Sequence, residues 1–178
     1  AVFQTSFVNH PEQVDALYIW HYRDVFSGKY KGYNTKGLIA AGGFKKDLYY
    51  LYQSFLSPEK DVLQIVGKHW YVRENENDLK VYSNAGELKL IVNGKVAGSR
   101  INGLYKHEMY KNQVVNNVFY WNDILVPGIN DIKVSDNRGN IRDCRIFLID
   151  GEKNILASDP IIRDLRVRNA LNKAFLLD

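Results

Sequence analysis

Cysteine is almost missing from this sequence, with Cys144 the only one among 178 residues. An internal disulfide is excluded. Cys144 sits in an apolar, strand-like run, so a buried and inert thiol is expected. Long apolar runs are missing too, and no stretch is long and apolar enough to cross a membrane as a helix. The first residues, Ala-Val-Phe-Gln, lack a basic segment followed by an apolar one, so an export signal, if there is one, is expected outside this chain. They also lack a methionine, which fits a segment of a longer protein. The histidines His10, His21, His69 and His107 are isolated, and none stands at metal-ligand spacing from Cys, Asp or Glu. No metal site is expected. The glycines between residues 28 and 43 match neither phosphate-binding spacing, and there is no Gly-x-Ser-x-Gly elbow. Metal hydrolase, nucleotide enzyme and serine hydrolase are all unsupported, and no cofactor is implied.

What is present is an ordinary globular composition, 46% hydrophobic and 25% charged, sufficient for a sizeable core. The net charge of +4 is scattered, and many lysines alternate with apolar residues, as in Leu88-Lys89-Leu90. That is the pattern of a solvated strand face and not of a nucleic-acid surface, so neither nucleic acid nor membrane is an expected partner. Aromatics reach 13%, with 12 Tyr, 8 Phe and 3 Trp, many of them between residues 18 and 71. This density suits a sugar-binding region or a tyrosine-rich packing seam, and composition leaves both open.

The pattern changes near residues 57–61. Before that point, residues 14–20 read as a short buried strand, and a glycine-studded loop follows. Residues 44–55 then place apolar side chains at 44, 48, 51, 52 and 55, the spacing of an amphipathic helix that Ser57-Pro58 stops. One such strand–loop–helix unit cannot bury both its faces alone. Residues 1–60 are therefore expected to pack against the rest of the chain or against a neighbouring copy. After residue 61, short strands are expected at 62–67, 79–83, 87–92, 95–101, 118–121, 124–126, 129–134 and 142–149. Asn93-Gly94 is the strongest hairpin signal. Residues 102–117 read as a long connection, and a short helix is expected after Asp159-Pro160. Short strands with frequent turns suggest an immunoglobulin-like sandwich.

The most informative run is Tyr18-Ile19-Trp20-His21-Tyr22-Arg23-Asp24, then Tyr33-Asn34-Thr35-Lys36-Gly37-Leu38-Ile39, then Phe44-Lys45-Lys46-Asp47-Leu48-Tyr49-Tyr50-Leu51-Tyr52. It resembles the end of the catalytic barrel in glycoside hydrolase family 2, the family of β-galactosidases and β-glucuronidases. There an apolar-Trp strand end, an Asn-x-Lys-Gly-Leu loop and a Pro-Lys-Asp-type helix start follow one another, and Phe44-Lys45 stands here for the usual Pro-Lys. Val81-Tyr82-Ser83-Asn84-Ala85 with Glu87 to Lys95 is similar to a hairpin of that family's C-terminal immunoglobulin-like domains. The resemblance runs from about residue 14 to 150.

The resemblance implies a mainly β chain: an immunoglobulin-like β-sandwich at 61–150, preceded at 1–60 by a strand–loop–helix remnant of a (β/α)8 barrel and followed by a tail at 151–178. It implies a retaining glycosidase that cleaves terminal β-linked sugars with two carboxylates about 5 Å apart. Both glutamates belong upstream of this chain, so no catalytic residue is expected here and the segment is read as structural. Glu12 is the one acid placed by position, and its neighbours His10-Pro11 do not fit the motif, so it reads as a loop residue. Trp20 is implied as part of the sugar-binding floor, and Asn34 with Lys36 as a sugar contact that in β-glucuronidases holds the carboxylate. Without the resemblance Trp20 would read as a core aromatic, and Asn34 and Lys36 read equally as a loop amide and a solvated cation. Asp24, Tyr49, Tyr50 and Tyr52 read as structural, and Trp70 and Trp121 as core or junction residues. The parent enzyme reads as β-galactosidase-like, with β-glucuronidase as the alternative and a carbohydrate-binding sandwich or a sheet-edge interaction domain as rivals. The implied partners are a carbohydrate substrate and the upstream barrel, self-association stays open, and a periplasmic or secreted location would follow only if the parent carries a signal peptide.

Overall fold

The computed structural model describes residues 11–13, 15–16, 18–27, 32–69, 71–74, 76–107 and 113–149. Within them the chain is mainly β with one α-helix. In order the elements are β1 (Val25–Ser27), β2 (Gly32–Asn34), α1 (Asp47–Leu56), β3 (Leu63–Ile65), β4 (Val72–Glu74), β5 (Leu79–Ser83), β6 (Glu87–Val92) and β7 (Lys95–Ile101). Then come β8 (Lys106–His107), β9 (Gln113–Val114), β10 (Val118–Trp121), β11 (Gly128–Asp136) and β12 (Ile141–Ile149).

Period-two alternation builds a sandwich from these strands. In β5 the side chains of Leu79, Val81 and Ser83 point inward, and in β6 those of Leu88, Leu90 and Val92 do. A three-stranded sheet, β10-β5-β3, faces a five-stranded sheet, β4-β12-β11-β6-β7. Ile65, Val81, Phe119 and Trp121 from the first meet Leu90, Val134, Ile146 and Leu148 from the second in one continuous core. Asn93 and Gly94 turn the β6–β7 hairpin with φ of 51° and 76°, the left-handed pair that a two-residue hairpin turn requires. The expected core position of Trp121 is met, at 1% exposure.

Among the described residues one strand pair is parallel, β12 with β4, and it carries Arg73 into the interior. Its guanidinium donates to the carbonyls of Val66, at 2.8 Å, and Asp78, at 3.3 Å. The buried guanidinium thus satisfies two carbonyls that lie outside the strands.

Helix α1 lies on the outside of the three-stranded sheet. Leu51 packs with Val115 and Val118, flanked by Phe55, Tyr82 and Tyr105. Burial there pushes the Tyr82 hydroxyl up to about 12. At the helix start Asp47 accepts from Gln64 Nε2 and from the Gly67 N–H, both at 2.7 Å. Further along, Asn117 Nδ2 donates to the Ser54 carbonyl at 3.1 Å and to its hydroxyl at 3.2 Å. Asn117 holds φ of 61°, and its own backbone N–H and side-chain oxygen are both bonded to Asn102.

Four expectations need correction. The strand over 14–20 is not formed among its described residues, and Tyr18 and Trp20 are 91% and 74% exposed. A strand needs a ladder partner, and among the described residues the 37–39 segment bonds to His21, Tyr22 and Asp24, beyond the expected strand. Pairing falls instead on the β1–β2 hairpin. The helix starts at Asp47 and not at 44, because Lys46 is extended and its N–H bonds to the Leu38 carbonyl. Residues 124–126 are not a strand: Ile124 and Leu125 both donate to the Asn77 carbonyl, and Asn130 brackets Val126 with its side-chain amide. The 102–117 connection contains the short β8–β9 pair. The helix expected after Asp159-Pro160, and Trp70, lie outside the described residues.

Candidate functional site

The loop between β2 and α1 folds back on the chain that follows Trp20. The Leu38 N–H lies 3.0 Å from the Tyr22 carbonyl and 3.3 Å from that of His21, and the Asp24 N–H donates to Ile39 at 2.8 Å. Leu38, Ile39 and Ala40 are buried. Gly37 sits so close to this segment that an added Cβ would fall 2.3 Å from the Asp24 nitrogen, so only glycine permits the approach.

Asn34, Thr35 and Lys36 ride above this seam. The Lys36 N–H donates to Asn34 Oδ1 at 3.2 Å, an Asx-turn that brings two of the expected residues together. Asn34 Nδ2 and the Lys36 ammonium have no hydrogen-bond or ion-pair partner among the described residues. One amide donor and one cation two residues apart are therefore presented outward, a combination suited to a carboxylate.

Trp20 lies on the adjoining segment. Its ring meets that of His21 with centroids 4.4 Å apart, and the peptide bond between them is cis. It makes no hydrogen bond or ring contact with Asn34 or Lys36. Tyr18, Tyr22, Phe26, Phe44, Leu48 and Leu56 are also exposed, so the described residues before β3 present much apolar surface.

The buried acid of the region is Asp24. Its Oδ1 accepts from Lys46 Nζ at 2.7 Å and from the Gly37 N–H at 2.9 Å. The same ammonium donates to the Thr35 carbonyl at 2.8 Å. The structural role expected for Asp24 is what these contacts describe. Lys46 was not singled out by sequence, and no spacing rule would find it, because its partner is 22 residues away. Its neighbour Lys45 turns outward over the Tyr49 ring, 4.6 Å from the centroid. Tyr49 and Tyr50 meet edge to face at 5.6 Å, and burial raises the Tyr52 pKa, both consistent with helix packing.

A separate cavity of about 900 Å³ lies on the five-stranded sheet, among Tyr71, Ile91, Lys133, Cys144 and Arg145. None of the expected site residues lines it. Among the described residues, no group of three or more His, Cys, Asp or Glu could hold a metal ion.

Comparison with known proteins bears on this arrangement. A protein of Formosa agariphila named "Putative beta-glucuronidase" is 37% identical over 70 residues, covering 36% of this chain and 8% of its own length. A solved structure named "putative beta-galactosidase" from Bacteroides fragilis superposes with a TM-score of 0.66 at 25% identity, covering 85% of this chain and 22% of that one. The chain is similar to a segment of glycosidases. The β-glucuronidase 3 of Bacteroides uniformis gives a TM-score of 0.59 at 25% identity over 72% of this chain and 17% of its own. No family model matches the glycosidase-like chain. The resemblance read from the motifs agrees with these matches. The chain spans less than a quarter of each of these three relatives.

Proposed function

We propose that this chain is the C-terminal segment of a retaining family 2 glycosidase that removes a terminal β-linked sugar, and that it contributes recognition and not the reacting acids. The catalytic carboxylates come from an upstream barrel, whose surface covers the apolar ring around Trp20. The immunoglobulin-like sandwich and α1 serve as the frame. Trp20 offers an indole face to the C–H side of a pyranose, and Asn34 and Lys36 meet its polar edge.

One observation carries this reading: the unpaired amide of Asn34 and ammonium of Lys36 on a single Asx-turn. Such a pair is best used by a sugar acid, which favours a β-glucuronide over a β-galactoside. The match to the Formosa agariphila protein supports the same choice. The β-galactoside reading rests on the 0.66 TM-score to the Bacteroides fragilis structure. Asp24, whose Oδ1 accepts from Lys46 and from the Gly37 N–H, is engaged within the loop itself.

The test uses the enzyme that includes the upstream region, with this chain as its control. The chain alone is expected to leave 4-nitrophenyl β-D-glucuronide and 4-nitrophenyl β-D-galactoside intact. In the complete enzyme Lys36→Ala lowers kcat/KM for the glucuronide about 10- to 150-fold, the equivalent of one charged hydrogen bond, and spares the galactoside. Equal losses on both substrates would remove the acid-recognition reading. Turnover by the repurified chain would remove the non-catalytic one.

A further inference from the structure

The Asn34–Lys36 turn is held at Thr35 and just beyond Lys36 by one partly buried ion pair. Asp24 and Lys46 come from segments 22 residues apart, and their side chains are only 5% and 26% exposed. Through Oδ1, Asp24 takes the Gly37 N–H, the residue just after Lys36. Through Nζ, Lys46 takes the Thr35 carbonyl, the residue between Asn34 and Lys36. The two groups then close on each other at 2.7 Å. Carbonyl and N–H on either side of Lys36 are thus fixed by a single acid–base pair. Its base is fixed too, because the Lys46 N–H bonds to the Leu38 carbonyl at 2.9 Å, and Gly37 packs so closely on Asp24 that no side chain would fit there.

We propose that Asp24 and Lys46 are positioning residues that set the reach of Asn34 and Lys36 toward the acidic group of the sugar. The inference rests on the reading of that turn as a sugar-acid clamp. Its physical basis is that recognition groups on a loop are precise only when their backbone is locked from behind. Removing the ammonium leaves the Asp24 carboxylate buried without its cation, which costs more than the pair contributes. The carboxylate relieves this by turning to water, and the Gly37 and Thr35 anchors are lost together.

Two measurements test the proposal. In this chain, Lys46→Met is expected to speed amide hydrogen exchange at Gly37 at least 10-fold while leaving the β6 and β11 amides unchanged, and Lys46→Arg restores most of the protection. In the complete enzyme Lys46→Met raises KM for 4-nitrophenyl β-D-glucuronide at least 10-fold, with kcat changed less than 3-fold and the galactoside constants unmoved. Unchanged exchange at Gly37 overturns the clamp. So does a KM that rises equally for both substrates, which marks a structural defect only. If Lys36→Ala fails to separate the two substrates while Gly37 exchange responds to Lys46→Met, the sugar-acid reading has failed and the clamp stands as a loop tether.

Discussion

Replacing Asn117 tests whether α1 is fastened to the sandwich as the contacts imply. Asn117→Ala removes the amide that donates to the Ser54 carbonyl and hydroxyl, and the oxygen that accepts from Asn102. Of these three bonds the two to Ser54 are buried and fasten the helix, and at about 1 kcal/mol each they give about 2 kcal/mol. Asn117 also holds φ of 61°, where alanine costs about 1 kcal/mol more than asparagine or glycine. The sum is about 3 kcal/mol for alanine and about 2 kcal/mol for Asn117→Gly, which loses the bonds and relieves the backbone. The loss falls on the docking of the helix, so native-state hydrogen exchange at residues 51–55 is the assay. Exchange there is expected to speed about 150-fold in the alanine variant and about 30-fold in the glycine variant. A glycine variant no better than alanine would refute the backbone part of the reasoning. Exchange changed less than 5-fold in both would refute the view that this amide fastens the helix.

Two other groups give sharp expectations. Burial alone would raise the Asp136 carboxyl, but hydrogen bonds from the Asn140 side chain and backbone and from Arg138 outweigh it and hold the pKa below its usual 3.8. A depressed acid stabilises above the unfolded pKa and loses that contribution as pH falls through the folded one. The urea-midpoint gap between the parent chain and Asp136→Asn should therefore be flat at neutral pH and narrow below pH 3.8, and a gap that widens there would contradict the assignment. Burial pushes the Cys144 thiol from 9.0 to about 11, so its thiolate fraction at pH 8 drops about 100-fold, and because the more basic thiolate is about 10-fold more nucleophilic its reaction with a disulfide reagent slows about 10-fold. Reaction at the rate of a free thiol would show the strand to be open.

The sandwich was legible because alternation dictates it. Leu79 and Val81 of one sheet and Leu88 and Leu90 of the other turn inward, with Lys80 and Lys89 between them, and Asn93-Gly94 favours a tight hairpin turn. What sequence missed depends on distant partners. Residues 124–126 carry strand-like composition, yet the Asn77 carbonyl and the Asn130 amide take their backbone groups. The strand at Val72–Glu74 is too short to show a period, and its inward arginine inverts the usual pattern. At the site, Asn34 and Lys36 are singled out by the resemblance of their loop to a family motif, and composition and spacing alone do not mark them. The residue that holds their backbone, Lys46, differs from its neighbour Lys45 only in where the chain places it.

These contacts make one connected route from the core to the turn. Asn117 and Gln64 of the sandwich bond to Ser54 and Asp47 of α1. Lys46, one residue before that helix, bonds to Asp24 and Thr35. A helix fixed at its first residue and again at Ser54 cannot slide or rotate without breaking one of these bonds, so the position of Lys46 Nζ is set by the sheet beneath. Leu51 and Ser54 turn toward the sandwich, while Leu48 and Leu56 stay exposed on the rest of the helix surface. In the proposed enzyme the covering barrel would meet that second side, and α1 would be gripped from both. The sandwich then does more than add stability, because it fixes the distance from a rigid core to the turn that displays Asn34 and Lys36. Loosening Asn117 should accordingly raise exchange at Gly37 as well as in α1, although Asn117 touches neither Asp24 nor Lys46. Faster exchange confined to α1 would show that the helix and the turn move independently.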